Sequence, residues 1–173
     1  TILFIAGMMI MVEGLEDTGF FRWLCMVLAK AVGYRTIPLF LVFVFLSALL
    51  SMFIDSITVI LFLVAVSVEL SQLLRFDPVP LILAEIFAAN LGGASTMSGD
   101  PPNIIIGTAL GYTFSDFLCH TGVIAWISMA AVLPFLLFTA RSMGRKGSAR
   151  PEVPPPSSAI VSRHHFYRSV FVF

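Results

Sequence analysis

The sequence predicts an all-α integral membrane protein with one broken helix, and three observations predict it. Hydrophobic residues make up 58% of the 173 and charged residues 12%, whereas soluble domains are near half apolar and about a quarter charged. Apolar runs of bilayer-compatible length recur along the chain. Between two shorter apolar pieces lies a polar, glycine-rich stretch, NLGGASTMSGDPPN. Formal net charge is zero and mean hydropathy is +0.99. With no basic stripe to neutralise phosphates, nucleic acid is not an expected partner. Cys25 and Cys119 lack the spacing of a metal site or a disulfide framework and read as small apolar residues.

The elements follow in order. The run at 1–12 is apolar but short of the roughly 20 residues a span needs, so the chain is expected to begin inside a helix; it shows no signal-peptide layout. Phe20, Phe21, Leu24, Val27, Leu28 and Ala31 recur near helical spacing against Glu16, Asp17, Arg22 and Lys30. That pattern predicts an amphipathic helix at the membrane interface. Residues 37–54 are uncharged, Asp55-Ser56-Ile57-Thr58 interrupts them, and 59–68 is apolar again. Two arrangements fit. One is a pair of full spans joined by a tight turn. The other is a longer helix followed by a re-entrant hairpin, whose polar tip sits at membrane depth inside protein or a water-filled cavity.

Residues 80–89 are apolar apart from Glu85, and 104–110 are apolar once more. Joined across 90–103 they make a single crossing with an unwound middle, because Gly92-Gly93 and Pro101-Pro102 fit poorly inside a continuous helix. GYTFSDFLCH then reads as a polar loop, followed by a clean span over 121–140. From Gly144 onward, basic residues and a proline run predict a flexible tail, dividing the chain into a membrane domain at 1–143 and a tail at 144–173. There is no Lys or Arg between Arg75 and Arg141. With one broken crossing, Arg22, Lys30, Arg35, Arg75, Arg141, Arg145, Lys146 and Arg150 share a side, which the positive-inside rule makes cytoplasmic.

Unsatisfied backbone in hydrocarbon costs several kcal/mol per group, and a bound ion or solute offsets it. Transporters build midplane sites this way, with unwound carbonyls around a cation and a half-helix N-terminus facing an anion. Ser95, Thr96, Ser98 and Asn103 offer neutral oxygens. Asp100 offers a fixed charge for sodium or a titratable group for a proton. Structural readings stand beside these: Gly92 and Gly93 as small residues at a packing seam, and the hydroxyls as groups bonding back to helix carbonyls. Asp100 becomes a plain loop residue if the break lies at a membrane surface, but a carboxylate at membrane depth is rare and usually functional. Asp55, Ser56 and Thr58 are explained equally by a surface turn or by a hairpin tip. Glu69 and Glu85 are weaker candidates, Glu69 near a helix end and Glu85 able to snorkel or to pair with a group outside this chain. His120, His164 and His165 show no ligand spacing.

NLGGASTMSGDPPNIIIGTAL resembles the signature loop of the ion transporter superfamily, which includes arsenite-pump, sodium/proton-antiporter, citrate-transporter-like and melanosomal P-protein members. SMFIDSIT and FIAGMMIMVEGLEDTGFFRWL are similar to segments of the same family, so the resemblance runs over 3–140. It implies one half of an inverted-repeat transporter, in which a re-entrant hairpin tip meets an unwound helix to bind a cation and part of the substrate. Carried over, Asp55, Ser56 and Thr58 stand at the tip. Asn90, Gly92, Gly93, Thr96, Gly99, Asp100, Pro101 and Asn103 stand in the loop. Dicarboxylate-transporting relatives carry Ser-Asn-Thr at the tip and a neutral residue in place of Asp100. The carboxylates here argue against a dicarboxylate substrate and for the arsenite-pump, antiporter and P-protein branch.

The expected function is secondary active transport of a small solute or ion, coupled to sodium or protons. The expected partners are the bilayer, the solute, the coupling ion, a second repeat half and a second copy of the chain in a homodimer. No cofactor is expected beyond a bound sodium ion. The alternatives are a non-transporting membrane fragment or scaffold and a passive ion channel. An enzyme is not expected: intramembrane aspartyl proteases resemble one another in Gly-x-Gly-Asp, and Met97 occupies the first glycine position before Ser98-Gly99-Asp100.

Overall fold

The computed structural model describes residues 19–141 continuously, with residues 3, 6, 7, 10, 14 and 17 ahead of them. The tail at 144–173 lies outside the described residues, as does most of the opening run at 1–12. The helices are α1 (Phe20–Ala31), α2 (Thr36–Ser51), α3 (Ser56–Leu74), α4 (Val79–Ser95), α5 (Pro101–Leu110) and α6 (Phe114–Ala140), the last containing a π turn at Leu118–Gly122. No strand occurs among the described residues, so the chain is all-helical there.

Large apolar side chains lie on the outside as well as in the core, and a few polar residues are buried among the latter. Ser47, Ser67 and Glu85 are fully buried, while Leu49, Leu61, Ile105 and Ile124 are each more than half exposed. Leucine and isoleucine on the outside suit hydrocarbon; in water such a surface is a liability. Among the described residues α3 and α6 are long and apolar enough to cross a bilayer, whereas α2 and α4 are shorter apolar helices of 16 and 17 residues.

Contacts fix the directions of the central helices. Ala48 of α2 lies against Gly92 of α4, and Met52 just past α2 bonds to Thr96 just past α4, so these helices run side by side in the same sense. α3 runs the other way: Ser56 at its start meets Asp100, and Ser67 farther along meets Glu85, farther back in α4. α1 lies across α3, with the Phe21 ring stacked on Phe62 at 4.4 Å and Arg22 paired to Glu69 at 2.6 Å. Leu39, Phe40, Phe43, Leu63, Leu70 and Leu81 fill the core between them.

Several expectations change. Unwinding is confined to 96–100, and residues 90–95 continue α4. Gly92 stays helical because it is the point where α4 touches α2. A Cβ there would collide with the Ala48 backbone, so close packing offsets the roughly 1 kcal/mol that glycine costs a helix. GYTFSDFLCH is mostly helix rather than loop, since α6 begins at Phe114 behind a reciprocal capping box between Thr113 and Asp116; that Thr-x-x-Asp signature was present in the sequence. The uncharged run at 37–54 stops being helical at Ser51, because Met52, Phe53 and Ile54 form the turn into Asp55. On α1 the buried set is Phe21, Cys25, Met26 and Ala29, rotated from the expected face because packing on α3 sets it.

Candidate functional site

Asp55 precedes α3 and caps it. Its Oδ2 accepts from the Thr58 N–H at 3.0 Å and from Thr58 Oγ1 at 3.2 Å. A helix start leaves its first amides without intrahelical partners, and a short acidic side chain in this position satisfies one of them.

Asp100 holds the same position before α5, yet its side chain does not cap that helix. Its Oδ1 crosses to α3 instead, accepting from Ser56 Oγ at 2.7 Å and from the Ser56 N–H at 3.2 Å. The local sequence permits this. Pro101 and Pro102 open α5 and carry no N–H, and the Asn103 N–H donates to the Asp100 carbonyl at 3.0 Å, so α5 has little need of a side-chain cap. Both carboxylates therefore reach the first turn of α3, where the helix dipole favours negative charge.

The break is held from several sides. Thr96 Oγ1 donates to the Met52 carbonyl and accepts from the Gly99 N–H at 3.0 Å, while Ser98 Oγ donates to that same carbonyl at 3.3 Å. Asn103 Nδ2 donates to the carbonyls of Gly93 at 2.9 Å and Thr96 at 3.0 Å, tying α5 back to α4. Gly93 and Gly99 make the fit possible. A Cβ on Gly93 would lie 2.5 Å from Asp100 Oδ2, and one on Gly99 would lie 2.6 Å from the Ser51 carbonyl oxygen.

The structure thus brings Asp55, Ser56 and Thr58 together with Gly93, Thr96, Gly99, Asp100, Pro101 and Asn103. Three residues singled out in the sequence stand apart. Asn90 is exposed and donates to the Ile86 carbonyl of its own helix at 2.7 Å. Ser95 is buried but bonds back to the Gly92 carbonyl at 2.6 Å. Gly92 serves the α2–α4 seam, beside an apolar crevice lined by Ala48, Leu91, Ala125, Trp126 and Met129. Sequence reasoning missed the Met52 carbonyl, since a backbone acceptor leaves no trace in residue type. It also undervalued Glu85, which does not snorkel: the residue is fully buried and its Oε1 accepts from Ser67 Oγ at 2.5 Å. The signal was there as serines four apart in apolar helices, Ser47 with Ser51 and Ser67 with Ser71.

Around the break the groups on offer are oxygens: carboxylates, hydroxyls and carbonyls. Such a set suits a hard cation or a proton rather than a soft metal.

A family model described as citrate transporter matches residues 1–173. Two uncharacterized transporters of Mycobacterium tuberculosis are similar to the chain. One is 36% identical over 139 residues, covering 79% of this chain and 32% of its own length. The other is 38% identical over 138 residues, covering 78% of this chain and 32% of its own. The P protein of Homo sapiens is 30% identical over an alignment of 174 residues, gaps included, that covers 96% of this chain and 20% of that protein. The chain therefore spans about a third of the mycobacterial relatives it matches. No solved structure matches it significantly.

Proposed function

We propose, given that the chain belongs to the citrate transporter family, that it supplies one half of the site of a secondary active membrane carrier. In this reading the α2–α3 turn is a re-entrant tip, the α4–α5 break is an unwound crossing, and a second, inverted half of the parent protein completes the pathway. The observation that carries it is the bond from Ser56 to Asp100, which joins tip and break through a carboxylate turned away from its own helix.

Two carboxylates on one helix start call for positive charge. The chain has no Lys or Arg at 36–74 or 76–140, so no basic side chain of these helices neutralises them. A mobile cation, sodium or a proton, fills that role, held by Asp100 and Asp55 with the Ser56 and Ser98 hydroxyls nearby. Its arrival and departure couple to the solute. An anionic solute gains little from α5 directly, because Pro101 and Pro102 remove two of the amides with which a helix start holds anions. Such a solute is bound through the cation or by the second half. The basic ends at Arg35, Arg75 and Arg141 face the cytoplasm.

The test is gradient-driven uptake by the complete parent protein in proteoliposomes, with pH and sodium varied separately. Asp100→Asn keeps shape and removes charge, so it abolishes coupled uptake at parental expression and thermal stability. Uptake that is unchanged in this variant sinks the proposal, and flux indifferent to both gradients in the parent points to a passive channel.

A further inference from the structure

We infer that Glu85 is a second ion site, a proton-binding carboxyl enclosed by α2, α3 and α4. The site stands on its own geometry, while its part in coupling rests on the transport reading above.

Glu85 is fully buried, and only one of its oxygens is satisfied: Oε1 accepts from Ser67 Oγ at 2.5 Å, and Oε2 has no hydrogen-bond partner among the described residues. An ionised carboxylate offers about four acceptor sites. With one of them filled and no cation beside it, a buried charge costs several kcal/mol. The groups facing it supply none. α2 contributes Ser47, which donates to the Glu85 backbone carbonyl at 2.7 Å, and carries no ionisable side chain. α3 contributes Ser67; its single charged residue, Glu69, is paired outward with Arg22 of α1. From α1, Cys25 is a buried thiol and Lys30 is exposed. α6 has no ionisable residue over Val123–Ala140, and Asp116, Cys119 and His120 at its other end are exposed. A metal cation takes about six oxygen ligands and the room to arrange them. A proton needs neither.

The placement gives that proton somewhere to go. Ser47 and Ser51 lie on one face of α2, one turn apart, and both are completely buried. Ser51 Oγ has no hydrogen-bond partner among the described residues, and the Ser51 carbonyl packs against Gly99 in the break. A file of two buried hydroxyls, not hydrogen-bonded to each other, thus stands between Glu85 and Thr96, which lies roughly 16 Å farther along α4 at about 1.5 Å per residue. Glu85 holds its proton while the three helices are packed. It releases the proton only when their rearrangement admits water or the hydroxyl file to Oε2.

Infrared difference spectroscopy on the purified complete parent, titrated with acid and base, reads the carbonyl stretch of a protonated carboxyl directly. The band is expected in the parent and lost in Glu85→Gln, which should remain monodisperse with parental thermal stability but lose the proton-driven part of uptake in proteoliposomes. Ser67→Ala keeps the carboxyl and removes its one partner, so the band moves in frequency and midpoint. Carboxyl bands that are identical in the parent and Glu85→Gln, or a Glu85 band that Ser67→Ala leaves in place, overturn the assignment, and proton-driven uptake undiminished by Glu85→Gln overturns its part in coupling. Should the parent move no solute at all, the transport reading fails while the band still decides whether Glu85 binds a proton.

Discussion

The two halves of NLGGASTMSGDPPN behave differently, although by composition both look equally unfit for a helix. Residues 90–95 remain in α4 with two consecutive glycines, whereas 96–100 unwind with only one. Glycine permits a break but does not impose one. In the first half, the missing side chain of Gly92 brings α4 onto the α2 backbone and that of Gly93 makes room for Asp100, and the i to i+4 ladder survives because no proline removes an amide from it. In the second half Pro101 and Pro102 withhold two amides and clash with the preceding turn. The Gly93 and Thr96 carbonyls then accept from Asn103, and the Gly99 N–H donates to the Thr96 hydroxyl, itself anchored on the Met52 carbonyl of the α2–α3 turn. A membrane helix unwinds where its amides are removed and its carbonyls are offered substitutes.

Substitutions can break or sharpen that contrast, beginning with the largest expected effect. Gly92→Ala raises intrinsic helix propensity by about 1 kcal/mol, yet its Cβ collides with the Ala48 backbone, and overpacking of that kind costs about 1–3 kcal/mol or more. Thermal unfolding of the complete parent in detergent should therefore show a fall in Tm. A rise would mean that Gly92 does not sit at the seam. Gly93→Ala, next along the helix, should act on function more than on stability. Its Cβ meets the movable carboxylate of Asp100 rather than backbone, so the carboxylate shifts from its place beside Ser56 while the helix packing stays. The expected outcome is about a tenfold or greater loss of apparent affinity for the coupling ion, read from the ion dependence of uptake. Asn90→Ala should change neither quantity by more than about 0.5 kcal/mol, since that side chain is exposed and touches only its own helix. A large effect there would show that Asn90 faces a site completed by the second half of the parent.

The candidate site was partly legible beforehand. Asp100 and Asp55 announced themselves because carboxylates are rare in apolar surroundings, and the proline pair marked the end of the break. Their roles were not legible. Asp55 serves as an ordinary cap for α3, whereas Asp100, in the matching position before α5, abandons its own helix for a neighbour. Locally, Pro101 and Pro102 remove amides that Asp100 would otherwise cap, but which neighbour it turns to is decided by the helix start that stands alongside. Glu85 illustrates the opposite gap. A lone glutamate in an apolar helix can reach the surface or turn inward, and only the packing of α2 and α3 around it decides. Ser95 and Asn90 looked like ligands by company alone, and each bonds back to its own helix.

The sequence by itself determined that the described residues are helical, that apolar side chains are too many to fit inside, and that a helix is interrupted somewhere within 90–103. Those properties follow from hydropathy and from the lack of an amide on proline, which act over a few residues. Tertiary structure decided that α2 and α4 run alongside in the same sense, that the α2–α3 turn meets the break, and that Glu85 is enclosed. Those depend on contacts between residues some 20 to 45 positions apart. Side chains form such contacts only when distant backbones have already been brought together.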